Sequence, residues 1–290
     1  MRRVIFAIVL VMGLCALSHG LEKRVLTLGM LEKLNSTEES FAEEWQRSFA
    51  PNNELLEVRV KFYPNLNALQ MALNAGEINH IVLPEASAEY LMNQNPEYES
   101  VLVLHSHGMG LAFGFSVDKV ELCQKFSEAV TAMRNDWTLS ALEGMYIASP
   151  GRSEPKPVEF AKFEKAATIR AAVTGDLPPV DFMASDGTPA GFSTAVLAEI
   201  GKRLGVNIEI LNIDSSARSS ALASGRADVV FWYEVVKGAK NQPDIPEGVI
   251  VSETYYDWEK FIHLRKKLDK GSSWGWNVFS SDFLDFYFHN

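Results

Sequence analysis

Residues 171–231 read AAVTGDLPPVDFMASDGTPAGFSTAVLAEIGKRLGVNIEILNIDSSARSSALASGRADVVF, and this stretch decides the fold class. A β-rich run is followed by a Pro-Pro turn, a short strand, a helix that ends at Gly205, the strand 207–213, a second helix and the strand 227–235. Residues 25–147 alternate strand and helix patterns in the same way. This alternation predicts α/β layers in which the strands are mainly parallel.

A short internal repeat links the two halves of the chain. Each copy ends a helix and precedes an apolar strand, and glycine at a helix end readily adopts the left-handed conformation. Both halves are therefore predicted to turn directly from a glycine-capped helix into a buried parallel strand. Chance similarity of two helix ends is the alternative, and the matching strands on both sides favour a two-lobed protein. The segments ALNAGEIN (72–79) and ALASGRAD (221–228) match at Ala72/Ala221, Leu73/Leu222, Gly76/Gly225 and, loosely, Asn79/Asp228.

Composition and charge exclude several classes of protein. The 290 residues correspond to about two domains. A net charge of −10 and a pI near 5.2 would repel nucleic acid and anionic lipid, so we expect no nucleic-acid partner. The two cysteines, Cys15 and Cys123, provide neither a disulfide framework nor a CxxC metal site. Stability is therefore expected to rest on packing.

The N-terminus has the pattern of a secretory signal peptide. Arg2 and Arg3 precede the apolar run VIFAIVLVMGLCAL, which is short for a membrane span and ends in small residues before LEKR. An uncleaved membrane anchor is the alternative. Cys15 lacks the preceding Leu, small, small pattern of lipoprotein processing, so we expect a periplasmic protein that is not a lipoprotein.

Residues 171–231 resemble the opening lobe of the type II periplasmic solute-binding proteins, specifically the polar amino acid receptors of ABC importers. The resemblance lies in the Pro-Pro turn, the D-G-x-x-x-G-F turn into a helix, the R-L-G helix end and the A-L-x-S-G-x-x-D approach to a strand. VSETYYDWEKFIHLRKK (251–267) is similar to the family's S-x-P-Y-Y strand, with Thr254 where proline is usual. The resemblance implies a two-lobed periplasmic-binding-protein type II fold with mainly parallel sheets flanked by helices.

The resemblance covers nearly all of residues 25–267, but with the lobe order reversed. NSTEESFAEEW and NAGEINHIVLPEASAEYLMNQNP resemble parts of the family's second lobe, which implies a circular permutation. Domain termini often lie close together, so a new joint is sterically reasonable. A tandem of two degenerate receptors is the alternative, although about 120 residues per half are few for a complete receptor. The expected divisions are a signal peptide (1–20), a lobe similar to the family's second (24–108), a return strand and helices that pack on the other lobe (109–147), a linker (148–165), a lobe similar to the family's first (166–267) and an aromatic tail (268–290).

The resemblance implies a ligand held between the lobes by residues at strand ends and helix starts. Asp176 and Leu177 follow the first strand of their lobe, where the family usually has an aromatic residue that stacks on the ligand. A turn residue before prolines is the alternative for Asp176. Ser215 and Ser216 match the loop before a helix, with Arg218 near the same mouth. Helix capping and a solvated arginine are the alternatives there.

The largest departure from the family lies at WYEVVKGAK, residues 232–240. The resemblance implies small hydroxyl residues here, followed by an arginine that clamps an α-carboxylate bidentately, which lysine does not reproduce. Trp232, Tyr233 and Glu234 stand here instead. Glu234 at a strand end could meet a cationic group, with an aromatic ring supplying a π face. Packing of the aromatic residues against the tail is the alternative.

The other lobe contributes three candidates. Ser36 and Thr37 offer hydroxyls and a helix N-terminus to an anionic group, or simply cap the helix. Glu85 adjoins Pro84, which stands where the family's strand-end aspartate often binds the ligand amine. Glu85 either substitutes for that aspartate or only starts a helix.

These observations predict a protein that captures a small polar solute, amino acid-like or a related amine or organic acid. Its partner would be the membrane permease of an ABC-type importer, and we expect a monomer. No GxSxG, HExxH, Walker or dinucleotide motif occurs in the sequence, and His105 and His107 lack a third ligand. We therefore expect no catalytic residues, cofactor or metal. A small-acid dehydratase or lyase that uses Glu234 or Glu85, and a ligand-sensing receptor module, are the alternatives.

Overall fold

The computed structural model describes residues 24–49, 56–148 and 154–267, so the expected signal peptide and aromatic tail lie outside the described residues. The strands are β1 (Arg24–Leu31), β2 (Leu56–Tyr63), β3 (His80–Pro84), β4 (Tyr98–Ser116), β5 (Thr168–Val173), β6 (Asp176–Leu177), β7 (Asp181–Met183), β8 (Pro189–Ala190), β9 (Asn207–Asn212), β10 (Val229–Val236), β11 (Val249–Val251) and β12 (Tyr256–Lys266). The helices are α1 (Glu38–Phe49), α2 (Leu66–Ala75), α3 (Glu85–Gln94), α4 (Val120–Asn135), α5 (Thr138–Glu143), α6 (Phe192–Leu204) and α7 (Arg218–Ala223), with a π-helical turn at Gly144–Ala148 and a 3-10 turn at Ser215–Ala217.

One sheet runs through the molecule in the order β2-β1-β3-β12-β4-β10-β5-β9, and β11 pairs with β4. The N lobe contains β1 to β3 with α1 to α3, and the C lobe contains β5 to β11 with α6 and α7. Helices α4 and α5 pack against α6 in the C lobe. Strands β2, β1 and β3 are mutually parallel, as are β10, β5 and β9. Of its three parallel strands, each lobe thus places the first in the chain between the second and the third. The expected two-lobed α/β fold is confirmed.

Two long antiparallel strands, β4 and β12, join the lobes. Their pairing runs from Tyr98 with Lys266 in the N lobe to Leu111 with Tyr256 at the C lobe. Strand β12 also pairs with β3 of the N lobe, and β4 also pairs with β10 and β11 of the C lobe. The runs VLVLHS (101–106) and GLAFGFS (110–116) predict two separate strands, but the structure has one. Gly108 has a φ of +76°, yet pairing with β12 continues on both sides of it, so the chain does not turn back.

The internal repeat corresponds to a repeated structural unit. Gly76 and Gly225 both adopt the left-handed conformation, with φ of 74° and 66°. Beyond each glycine, a polar residue bonds the neighbouring strand through its backbone and its side chain. The Thr27 N–H donates to Asn79 Oδ1 at 2.7 Å, and the Arg170 N–H donates to Asp228 Oδ2 at 3.0 Å. Asn79 and Asp228, the loosely matched pair of the repeat, therefore make equivalent hydrogen bonds to the neighbouring strand in the two lobes.

One cluster of the core is continuous along β4 and β12, the two strands that join the lobes. Phe113 of β4 stacks on Tyr255 at 4.4 Å between ring centroids and meets Phe126 of α4 edge-on at 5.4 Å.

In the part of the chain that the structure describes, no helix is both long and apolar enough to cross a membrane.

Candidate functional site

The candidate site lies where the two lobes face each other. In each lobe the segments that follow the carboxyl ends of the parallel strands point toward the other lobe, which is where α/β proteins usually place their ligands. The N lobe contributes the loop 32–35 after β1 and the start of α2. The C lobe contributes the turn after β5, the 3-10 turn before α7 and the segment after β10. Groups from these segments form hydrogen bonds and an ion pair across the interface between the two lobes, which we call the cleft.

Arg218 is fully buried at the centre of this cleft, so it is not the solvated helix arginine offered as one interpretation of the sequence. Its two terminal nitrogens donate to the two carboxylate oxygens of Asp244 at 2.8 and 2.7 Å, and both side chains are 0% exposed. The remaining N–H groups donate to the carbonyl oxygens of Ser215, Trp232 and Glu32. All five guanidinium donors are therefore used, one of them on the N lobe.

The Arg218 guanidinium packs against the faces of two aromatic rings. Its central carbon lies 4.1 Å from the ring centroid of Trp232 and 4.9 Å from that of Tyr233. Both aromatic side chains are fully buried, and burial raises the pKa of the Tyr233 hydroxyl to about 12. The π faces expected at these positions thus meet a cation, and that cation belongs to the chain itself.

Glu234 also meets a cation of the chain. The Lys33 ammonium, from the loop after β1, forms an ion pair with the Glu234 carboxylate, and their side chains are only 4% and 9% exposed. The Glu234 backbone N–H donates to Asp244 Oδ2 at 2.9 Å. The two lobes are therefore linked by a buried charge pair.

Asp176 makes a second link between the lobes. Its Oδ1 accepts from the backbone N–H of Leu66, the first residue of α2, at 3.1 Å, and its Oδ2 accepts from the Ser215 hydroxyl at 2.6 Å. A carboxylate at this helix end is also favoured by the helix dipole. Burial nevertheless raises the pKa of Asp176 to about 6, against the opposing effect of these hydrogen bonds and with a smaller contribution from Asp181.

Asp181 lies completely buried behind Asp176. Its Oδ2 accepts from the Thr174 hydroxyl at 2.8 Å and from Trp232 Nε1 at 3.1 Å, while Oδ1 has no hydrogen-bond partner in the described part of the chain. Burial raises the pKa of this carboxyl as well. Asp181 therefore orients the indole on which Arg218 rests.

Five other candidates lie elsewhere or have simpler surroundings. Leu177 is 2% exposed within the core, and Ser216 is exposed. Thr37 caps α1, since its hydroxyl accepts from the Ser40 N–H at 3.2 Å, and Ser36 is half-buried just before it. Glu85 starts α3 and pairs with Lys260 of β12 at 2.7 Å, with both side chains about a third exposed.

Four residues of the cleft were not predicted from the sequence: Lys33, Thr174, Asp181 and Asp244. Lys33 lies two residues after the end of β1, and Thr174 and Asp181 stand inside the quoted Pro-Pro segment. Asp244 lies between two prolines in NQPDIP, a segment with no pattern that points to burial. Within the described residues no group of three or more side chains is arranged to hold a metal ion, and the side chains of residues 105–107 lie outside the description.

Solved structures of low sequence identity resemble this chain in part. They include the ligand-binding component of an ABC-type import system from Staphylococcus aureus with zinc bound, with 12% identity, a TM-score of 0.43, and coverage of 84% of this chain and 66% of that chain. A second is the alkanesulfonate-binding protein SsuA from Xanthomonas axonopodis pv. citri bound to MOPS, with 10% identity, a TM-score of 0.42, and coverage of 85% and 66%. A third is a putative methionine-binding lipoprotein from Bacillus subtilis, with 11% identity, a TM-score of 0.41, and coverage of 87% of both chains. The present chain thus spans just under two thirds of the length of the first two.

No curated protein matches the sequence. A family model does match, over residues 169–267, and it describes the bacterial extracellular solute-binding proteins, family 3. This segment begins in β5 of the C lobe and continues past the end of β12, which pairs with the N lobe. The circular permutation stays a prediction. Over residues 169–267, the resemblance drawn from the sequence is confirmed by the match to the model of the bacterial extracellular solute-binding proteins, family 3.

Proposed function

We propose that this protein captures a small polar solute between the N lobe and the C lobe and delivers it to the permease of an ABC-type importer. The family match of residues 169–267 supports solute binding. Strands β4 and β12 join the lobes, and bending two neighbouring strands is a simple way to open and close a cleft. An amino acid-like molecule, an amine or an organic acid is the proposed class of solute.

The observation that carries this proposal is the polar character of the facing surfaces. The cleft contains the Lys33–Glu234 pair, the Arg218–Asp244 pair and Asp176 at the start of α2. When the lobes separate, water can solvate these groups, whereas an apolar interface would resist exposure. The same groups then offer both signs of charge and free hydrogen-bond donors to a polar solute.

The cellular setting is part of the proposal. Residues 1–20 would act as a cleaved signal peptide, and the mature protein would work in the periplasm as a monomer without a lipid anchor. The dehydratase or lyase alternative is not put forward, because its two carboxylates, Glu234 and Glu85, are each engaged by a lysine. We likewise propose no catalytic residue.

Thermal unfolding in the presence of candidate solutes tests the proposal. L-amino acids, polyamines, organic acids and small cations are added in turn, and titration calorimetry follows any hit. A solute at about a hundred times its Kd stabilises the folded state by roughly 2.7 kcal/mol, which raises the Tm by several degrees for a chain of this size.

Two variants locate the binding. Glu234→Gln should weaken the effect of the solute, because it removes a charge from the cleft. Lys202→Ala should leave the effect unchanged, because that side chain is 67% exposed on α6. The proposal fails if no compound of these classes raises the Tm at millimolar concentration, or if Lys202→Ala abolishes the effect while Glu234→Gln does not.

A further inference from the structure

The segment Lys237–Gly248, between β10 and β11, spans the cleft, and we call it the bridging loop. Gly238 and Gly248 lie near its two ends with φ of 80° and 83°. From the N lobe, the Asn35 backbone N–H donates to the Pro243 carbonyl at 2.9 Å, and the Asn35 side-chain amide donates to the Gln242 carbonyl at 2.8 Å. The loop is thus rooted in the C lobe at both ends and attached to the N lobe in the middle.

The bridging loop inserts one carboxylate, Asp244, into a set of four donors. Two are the terminal nitrogens of Arg218, the third is the Glu234 backbone N–H at 2.9 Å, and the fourth is the Leu34 backbone N–H at 3.3 Å. Paired donors from a guanidinium match the planar geometry of a carboxylate. Because Leu34 belongs to the N lobe, a carboxylate held here contacts both lobes at once.

These donors would keep their positions without Asp244. Arg218 also donates to the carbonyl oxygens of Ser215 and Trp232 at 2.9 Å, and its guanidinium lies against two aromatic rings. The Glu234 N–H belongs to strand β10, which pairs with β4 at this residue. Three of the four donors are therefore held in place by the C lobe outside the bridging loop, and the loop supplies only the carboxylate.

We propose that Asp244 is an internal ligand, and that a small carboxylate solute binds at Arg218 by displacing it. This inference rests on the proposed function, and it names the solute class as one that carries a carboxylate. The glycines near the loop ends allow the bridging loop to swing away as the solute enters. Because the loop competes for the site, the apparent affinity equals the intrinsic affinity multiplied by the fraction of molecules in which the loop is already displaced.

Removal of the internal carboxylate tests the site directly. Asp244→Ala leaves the donors of Arg218 facing a space of the size of a carboxylate, whereas Asp244→Asn keeps that space filled. Acetate, compared with chloride at equal ionic strength, should raise the Tm of Asp244→Ala by ~5 °C at a hundredfold excess over its Kd, and should have little effect on Asp244→Asn. Equal responses of the two variants to acetate would overturn the proposal.

Two further measurements keep the test decisive. If Asp244→Ala does not fold in chloride, its refolding yield in acetate is measured instead, and a yield no higher than in chloride counts against the site. In the wild-type protein, acetate should speed hydrogen exchange across residues 237–248, and an unchanged exchange rate would rule out displacement. The acetate response of Asp244→Ala does not depend on whether any natural solute is found, so it is separable from failure of the proposed function.

Discussion

Replacement of Lys33 with methionine would test the buried charge pair that links the lobes. The side chains of Lys33 and Glu234 are 4% and 9% exposed, so removal of the ammonium leaves the Glu234 carboxylate buried without its counter-charge. Breaking a buried pair in this way costs about 3 kcal/mol. The double variant Lys33→Met/Glu234→Gln removes both charges and should cost clearly less than the sum of its two single variants.

The Lys260–Glu85 pair provides the matched control for this experiment. It has the same residue types, but its side chains are 35% and 36% exposed, so Lys260→Met should cost under about 1 kcal/mol. Urea unfolding of all variants at pH 7 gives the free energies. The reasoning is refuted if Lys33→Met costs no more than Lys260→Met, or if the effects of Lys33→Met and Glu234→Gln simply add.

Three more predictions concern pH and packing. Burial, with a smaller effect of Arg265, lowers the pKa of His80 to about 4, so the wild-type protein should lose about 3 kcal/mol of stability relative to His80→Gln as the pH falls from 7 to 4. Asp176 has the opposite sign: its raised pKa of about 6 means that the wild-type protein should lose about 2 kcal/mol of stability relative to Asp176→Asn as the pH rises from 4 to 7. Urea unfolding across this pH range checks both, and a difference that does not vary with pH would contradict either. Gly114→Ala would drive a methyl group into the Tyr233 ring and should cost about 2 kcal/mol in urea unfolding, whereas the same change at Gly144, which has nothing within 4 Å of the added carbon, should cost nothing.

The secondary structure could be predicted from the sequence because its signals are local. Phe41, Trp45 and Phe49 at four-residue spacing predict a helix over residues 38–49, which α1 occupies, and Gly76 ends α2 as its position predicts. The fusion of two expected strands into β4 could not be predicted in this way. Strand β4 continues past the irregularity at Gly108 because β12 pairs with it on both sides, and β12 lies far away in the sequence.

Only part of the cleft could be predicted from the sequence, because it too depends on contacts between distant segments. Trp232, Tyr233 and Glu234 were identified as departures from a family pattern, and the cations that lie beside them belong to the chain itself. Lys33 could not be identified from the sequence, because it lies about 200 residues from Glu234 along the chain. Arg218 pairs in turn with Asp244, which lies in a loop whose sequence does not indicate that it enters a cleft. Pairing between distant segments leaves no periodic signal in either segment.

The position of β12 between β3 and β4 has a consequence for the order in which the chain folds during synthesis. Strand β3 finds its second neighbour in β12, about 180 residues later along the chain. The N lobe therefore leaves the ribosome first but keeps an open sheet edge until nearly all of the C lobe has been made. Chaperones that cover exposed strand edges should act on this protein late in translation, and a ribosome stalled before residue 256 should hold an N lobe that has not yet closed its sheet.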